Sequence, residues 1–373
     1  MTLPGRTRRG GRRSPRLPDE KLGRVVVSSR IRLARNLADA PFPDWATSDQ
    51  LNEIFQRVAD AATDAGEDVG MNLRYGLIGD DENFAGLLFE RQLISRDLIS
   101  RGAAAGYVLD LDAKSRSDMR FSVMVNEEDH LRIQVIRFDD RVEDAWSFAD
   151  KYDTALSRRL PYAFSKKLGY LTACPSNLGT GMRASFMLSL PGLVACDEFE
   201  STCRAIDRLG FNARGVNGEN SSTPSCMVQI SNRGTLGFSE ADVIARLRKV
   251  VDEVVRVERQ ARRYSMTKGA LFLNDMVARN LAILQNARMI QADEAQNALT
   301  AVRLGVELGL VRHFRADEAE NLSDECGRYA LRSSLLQEGF SAENLDNPDF
   351  RDAIRADILR KALSNATFNP LPD

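Results

Sequence analysis

Histidine is nearly missing from this 373-residue chain, which has only His130 and His313. Five cysteines (Cys174, Cys196, Cys203, Cys226, Cys326) make an odd number and include no CxxC pair. That poverty of soft ligands argues against a zinc centre and against a disulfide framework, and it fits a reducing cytoplasm. No apolar run is long enough to cross a bilayer. A formal net charge of −2 gives no bulk pull toward nucleic acid or a membrane surface. The chain also lacks internal repeats. What remains, 43% hydrophobic and 28% charged residues, describes a globular protein long enough for two or three domains.

Charge is nevertheless unevenly placed. Residues 1–23 carry Arg6, Arg8, Arg9, Arg12, Arg13 and Arg16 among Gly, Pro and Ser, too little apolar surface to fold alone. Twin arginines occur there without a following apolar stretch, so an export signal is rejected and a solvated basic tail expected. Val25 to Leu33 then predicts a strand. Its alternation sets Arg30 and Arg32 on one face and Ile31 and Leu33 on the other. Leu51, Ile54, Phe55 and Val58 recur at helical spacing within 50–65. Phe121–Val125 and Leu131–Val135 read as strands flanking the acidic turn Asn126-Glu127-Glu128-Asp129-His130. Taken alone, three carboxylates in a turn describe a solvated loop. His130 has no metal-ligand partner and reads as structural.

Residues 145–165 are expected to be a helical approach to the stretch that matters most, Cys174-Pro175-Ser176-Asn177-Leu178-Gly179-Thr180-Gly181-Met182-Arg183-Ala184-Ser185. Pro175 and two glycines forbid regular structure through its middle. Gly179 and Gly181 allow backbone amides to converge on an anion, and Arg183 adds a permanent cation. The spacing is not that of a Walker loop. Farther on, Phe186–Leu193 is strand-like and Cys203–Leu209 helical. Val243, Leu247, Val250, Val254 and Val257 form the apolar stripe of a helix over 239–263. Helical periodicity continues from Tyr264 to Ala366. Within it Phe350, Ile354 and Ile358 make a core stripe, and Arg351 and Arg355 stand one turn apart beside Asp352.

The string CPSNLGTGMRAS resembles the active-site signature of the guanido (phosphagen) kinases, which move the γ-phosphoryl group of ATP onto a guanidinium nitrogen. SSRIRLARN and NEEDHLRI are similar to two further segments of that family, and RDAIRA resembles the phosphoarginine-receptor motif of its bacterial protein-arginine kinase branch. Small-substrate members carry an N-terminal helical domain where this chain has only the tail, which also selects that branch. The resemblance implies an α+β fold, an antiparallel sheet flanked by helices over 24–255, followed by an all-helical phosphoarginine-binding and dimerisation domain over 256–373. It implies catalytic roles for Glu128, as base and orienter of the guanidinium, and for Cys174, as a second negative contact. It implies ATP held by Arg30, Arg32, Arg132 and Arg183 with Mg²⁺, and phosphoarginine held by Arg351, Asp352 and Arg355. A substrate loop falls on Asn217, Glu219 and Ser222, with Ser222 where the resemblance puts a second glutamate. Protein substrates with exposed arginine, a homodimer, a zinc-binding activator and a Clp-type protease are the implied partners. Because of Ser222, a pseudokinase that binds nucleotide or phosphoarginine is the second reading. A kinase for a free guanidino compound is the third.

Overall fold

The computed structural model describes residues 22–110, 119–215, 226–268 and 270–371. The basic tail and the loop holding Asn217, Glu219 and Ser222 lie outside the described residues. Eight antiparallel strands form the main sheet: β1 (Val26–Arg35), β2 (Leu73–Leu77), β3 (Gly106–Asp110), β4 (Met119–Val125), β5 (Leu131–Arg137), β8 (Met182–Ser189), β9 (Phe211–Gly215) and β10 (Met227–Asn232). A short hairpin, β6 (Phe164–Ser165) and β7 (Gly169–Tyr170), stands apart from it. The order across the sheet is β2-β3-β4-β5-β1-β8-β10-β9, so β1 and β8, the strands that carry Arg30, Arg32 and Arg183, lie side by side near its middle.

Alternation along each strand assigns the two faces. Ile31 and Leu33 of β1, Val123 of β4, Ile133 of β5 and Phe186 of β8 enter one large core. That core is closed by helices α1 (Ser48–Asp68), α4 (Val142–Ser157) and α7 (Glu240–Lys268). Thr47 and Gln50 start α1 with a reciprocal capping box, in which each side chain satisfies the other's backbone amide. The opposite face is covered at one end, where Leu109 and Met124 pack with Leu98 and Ile94 beneath α2 (Glu82–Glu90) and α3 (Arg96–Arg101). At the centre it carries Arg30, Arg32, Arg132 and Arg183.

Helix α4 ends at Ser157, short of the expected 165. Pro161 cannot continue it, having no amide hydrogen to give the Ser157 carbonyl. The chain turns instead into the β6–β7 hairpin. After β8 come α5 (Pro191–Ala195) and α6 (Phe199–Arg208). The second unit comprises α8 (Ala270–Asn286), α9 (Ala292–Glu307), α10 (Ala316–Glu325), α11 (Arg328–Gln337), α12 (Ala342–Asp346) and α13 (Pro348–Ala362), with a two-residue hairpin of β11 (Val311–Arg312) and β12 (Thr367–Phe368). Its core gathers Leu273, Val277, Leu299 and Leu359, while Phe350, Ile354 and Ile358 pack on Leu331, Leu335 and Leu345.

A buried ion pair on α7 anchors that helix to the end of β8 and to α5. Arg262 and Glu258, neither exposed, meet at 2.6 Å. Glu258 also accepts from the Gly192 and Leu193 amides at 2.9 Å, and Arg262 donates to the Ser189 carbonyl at 2.8 Å. Burial raises the Glu258 carboxyl against the pull of Arg262. Removing one partner strands the other charge in a dry site. Glu258→Ala should therefore cost about 3–5 kcal/mol, read as a lowered denaturation midpoint.

Candidate active site

Cross-strand register brings the arginines together. Arg32 of β1 lies directly opposite Arg183 of β8, and Arg30 lies opposite Ser185. Arg132 of β5 pairs with Ala34, one step along the same face. Like charges placed opposite one another destabilise a sheet. Here the repulsion is compounded by burial, which with Arg183 and Arg132 pushes Arg30 down to about 10. Burial, then Arg30, Arg132 and Arg183, carry Arg32 well below the usual arginine value. Neither Arg30 nor Arg32 has a carboxylate partner among the described residues, and the buried Nε atoms of Arg32 and Arg183 make no hydrogen bond. Arg183 is lowered by burial and next by Arg214 of β9, a fifth cation on this face. Sequence reasoning gave Arg214 no role. The signal was its position at the strand end ahead of the substrate loop.

The acidic turn is not a solvated loop. Asn126 takes a left-handed conformation, φ 58°, which asparagine tolerates, and its amide donates to the Leu51 and Ala104 carbonyls. From there the carboxylates alternate in and out. Glu127 is buried, bridging Arg132 at 2.6 Å and accepting from the Ser95 hydroxyl. Asp129 is also buried and accepts from Asn36 at 2.6 Å and from the Ala173 amide at 2.7 Å. Glu128 alone turns outward, its side chain 39% exposed and 3.4 Å from Arg132. His130 is structural, as read from the sequence. Its Nδ1 accepts from the Leu37 amide, which leaves Nε2 to donate to the Pro41 carbonyl, and burial lowers its basicity.

The Cys174 loop is fixed from several sides. Asp129 holds Ala173, the Thr172 hydroxyl donates to the Cys174 carbonyl at 2.9 Å, and the Thr235 hydroxyl donates to the Leu178 carbonyl at 2.7 Å. Beneath it Arg35, in a buried pair with Asp153, donates to the Thr180 carbonyl and lies 3.5 Å from the Tyr170 ring centre. Gly181, at φ 65°, lies where an added Cβ would come 2.6 Å from the Ala34 carbonyl oxygen. Gly179 turns its amide toward the Tyr170 carbonyl at 3.5 Å. The glycines therefore serve close packing, and Gly179 does not present an open amide for an anion. Cys174 Sγ contacts the Ser176 hydroxyl at 3.0 Å. Asp129→Ala should release this loop and lower turnover about 10- to 100-fold, with the nucleotide-induced rise in melting temperature retained because the arginines stay in place.

Together these elements enclose a cavity of about 90 Å³ lined by Arg32, Glu128, Arg132, Cys174, Asn177 and Arg183. One wall offers fixed cations, of which Arg32 and Arg183 have no carboxylate partner among the described residues while Arg132 is bridged to Glu127, and the other offers a carboxylate and a sulfur. The site can take a polyanion against the sheet and a cation against Glu128. No group of three or more His, Cys, Asp or Glu is placed to hold a metal ion among the described residues.

The second arginine pair sits on α13. Arg355 is buried and turned inward, donating to the Cys326 carbonyl at 2.7 Å, to the Ile290 carbonyl at 2.8 Å and to Asp352. Arg351 donates to the Leu345 carbonyl. Burial and then the neighbouring Arg328, Arg332 and Arg355 lower Arg351, so a second cationic cluster forms between α11 and α13.

Residues 50–261 match the family described as ATP:guanido phosphotransferase, C-terminal catalytic domain, and residues 270–370 match the protein-arginine kinase McsB C-terminal domain. A Clostridium acetobutylicum protein named protein-arginine kinase is 37% identical over 320 residues, 86% of this chain and 92% of the relative. One from Halothermothrix orenii with the same name is 36% identical over 341 residues, 91% and 93% of the two chains. Among solved structures, a lombricine kinase superposes with a TM-score of 0.53 at 23% identity, over 63% of this chain and 66% of the other, which speaks for the fold.

Proposed function

Because the chain belongs to the ATP:guanido phosphotransferase family, we propose that it transfers the γ-phosphoryl group of ATP to arginine side chains of proteins. The observation that carries this reading is the cavity itself, with Arg32 and Arg183, which have no carboxylate partner among the described residues, and the Glu127-held Arg132 on one wall, and Glu128 and Cys174 on the other. Arg30, Arg32, Arg132 and Arg183 receive the triphosphate by charge-assisted hydrogen bonds, and Arg214 adds its charge beside Arg183. A magnesium ion arriving with the nucleotide would supply further positive charge to the phosphates, held mainly by phosphate and water as such ions commonly are.

A guanidinium is protonated at any physiological pH and has no nucleophilic lone pair. Glu128 orients it and takes a proton from the attacking nitrogen as the N–P bond forms and the bond from the γ-phosphorus to the bridging oxygen breaks. The products are phosphoarginine, ADP and a proton. Cys174 contributes a polarisable contact to the guanidinium. Between Asp207 and Glu240 the sequence holds a single carboxylate, Glu219. We assign to it the second contact with the guanidinium, which Ser222, being neutral, cannot supply. The convergence of Glu128, Cys174 and the arginines gives a binder without chemistry no support among the described residues. Arg351, Arg355 and Asp352 are proposed to bind phosphoarginine. The same reading carries cytoplasmic location, a homodimer, a zinc-binding activator and a Clp-type protease as expected partners, to be tested by light scattering and co-purification.

The deciding experiment is mass spectrometry of phosphoarginine formed from Mg-ATP and an arginine-rich protein acceptor. Product from the wild type, loss of about 10²-fold or more in Glu219→Gln, and little change in Ser222→Glu are expected. No product from the wild type but product from Ser222→Glu would overturn the assignment and reinstate the pseudokinase.

A further inference from the structure

The Cys174 loop has a second side. A cavity of about 240 Å³ begins at Pro175, the residue after Cys174, and is walled by Phe211, Thr235, Leu236, Phe238 and Arg246. No carboxylate lines it. Its cations are Arg233, held by Asp207 at 3.2 Å, and Arg246, stacked 4.3 Å from the Phe238 ring centre. Leu236 is 52% exposed and Phe238 43%, unusual for large apolar side chains beside a cavity. Across the loop, the β6–β7 hairpin exposes Phe164 and Leu168 in the same way.

Both apolar edges rest on Gly179. A Cβ on that residue would come 2.9 Å from Leu236 Cα, and a Cβ on Gly169 would come 2.3 Å from the Gly179 carbonyl oxygen. The edges are therefore continuous with the loop that faces the candidate guanidinium site, and the cavity opens one residue beyond the sulfur. None of this surface is needed for a free guanidino compound, which has nothing to place there. A polypeptide does, since each extended residue advances about 3.3 Å and its next side chains fall on the edges of the loop.

We propose that this cavity seats an apolar side chain within three residues of the target arginine, making Leu236 and Phe238 specificity-determining residues for polypeptide acceptors. This rests on the phosphotransfer reading above. Because Arg233 and Arg246 supply the only charges lining the cavity among the described residues, a lysine or arginine neighbour is disfavoured there.

The test uses single-arginine peptides carrying Ala, Leu or Lys at each position one to three residues either side of the arginine. Each is assayed with wild type and with the Leu236→Ala/Phe238→Ala double variant, whose changed side chains are half-exposed. In the wild type, Leu at one or more positions should raise kcat/KM about 10-fold or more over Ala, the scale set by filling an apolar pocket, and Lys should lower it. The double variant should lose the Leu advantage while keeping its rate on the all-Ala peptide. Equal rates for all peptides in the wild type, or a Leu advantage that survives in the double variant, would overturn the proposal. Peptide binding followed by fluorescence polarisation reads the cavity without turnover. A Leu-dependent affinity lost in the double variant, with no phosphoarginine formed, would uphold the docking site and remove only the kinase reading. No Leu-dependent affinity and no product would remove both.

Discussion

Arg32→Met should weaken nucleotide binding about 10- to 150-fold for each charge-assisted hydrogen bond it removes and, in the same protein, raise the melting temperature measured without ligand. The two effects have one cause. Arg32 stands opposite Arg183, beside Arg30 and Arg132, on a sheet face where burial and mutual repulsion hold it well below its ordinary basicity. Its Nε is buried without a partner, so the free protein pays desolvation and repulsion together. Methionine fills much of the same volume without either cost, and a gain of about 1–2 kcal/mol is expected, within the range that relief of a strained functional site delivers. On the proposed reading, bound nucleotide reverses the balance, because its phosphates would supply the missing counter-charge. Each charge-assisted hydrogen bond lost costs about 1.5–3 kcal/mol, roughly 10- to 150-fold in affinity. Isothermal titration with Mg-ATP and thermal unfolding of the same sample check both halves. A variant that binds normally, or one that is destabilised without ligand, would mean that the cluster is held by partners other than nucleotide.

Alternation alone made β1 and its Arg30–Arg32 face legible, for a physical reason, whereas Arg132 and Arg183 joined them only through the resemblance. Alternation in Val26-Val27-Ser28-Ser29-Arg30-Ile31-Arg32-Leu33 is local, and a strand with one buried face must put every second residue on the other. The acidic turn was harder. Asn126 to His130 offers three carboxylates in a row, and nothing local distinguishes them. What buries Glu127 and Asp129 is Ser95, Asn36 and the Ala173 amide, all distant in sequence. The glycines of the Cys174 loop likewise looked like anion ligands by composition. Their close neighbours, Ala34 and Leu236, come from a strand and a loop that no local pattern could bring there. Arg355 is the same case in the second unit. Its spacing from Arg351 was visible, but its capture by the Cys326 and Ile290 carbonyls depends on how α13 docks.

Glu128→Gln and Glu127→Gln should separate chemistry from architecture at adjacent positions. Glu128 is partly exposed and only 3.4 Å from Arg132, so its loss removes little that the fold uses. Surface changes of this kind stay within about 0.5 kcal/mol. Its glutamine cannot accept the guanidinium proton, and a general base contributes about 10²–10⁴-fold. The expected outcome is phosphoarginine formation lowered about 10³-fold, with Mg-ATP binding and melting temperature unchanged, since Arg132 keeps Glu127 at 2.6 Å. Glu127→Gln should behave in the opposite order. It leaves Arg132 without its buried partner and weakens the link from Ser95, so stability falls by about 3–5 kcal/mol. Nucleotide affinity falls with it, because Arg132 is no longer held against the sheet, and the loss of turnover follows that loss of affinity. Steady-state kinetics separate the two cases, with Glu128→Gln lowering kcat and Glu127→Gln raising KM for ATP. If the two variants lost kcat alike at unchanged stability, the outward turn of Glu128 would not be what selects it as the base.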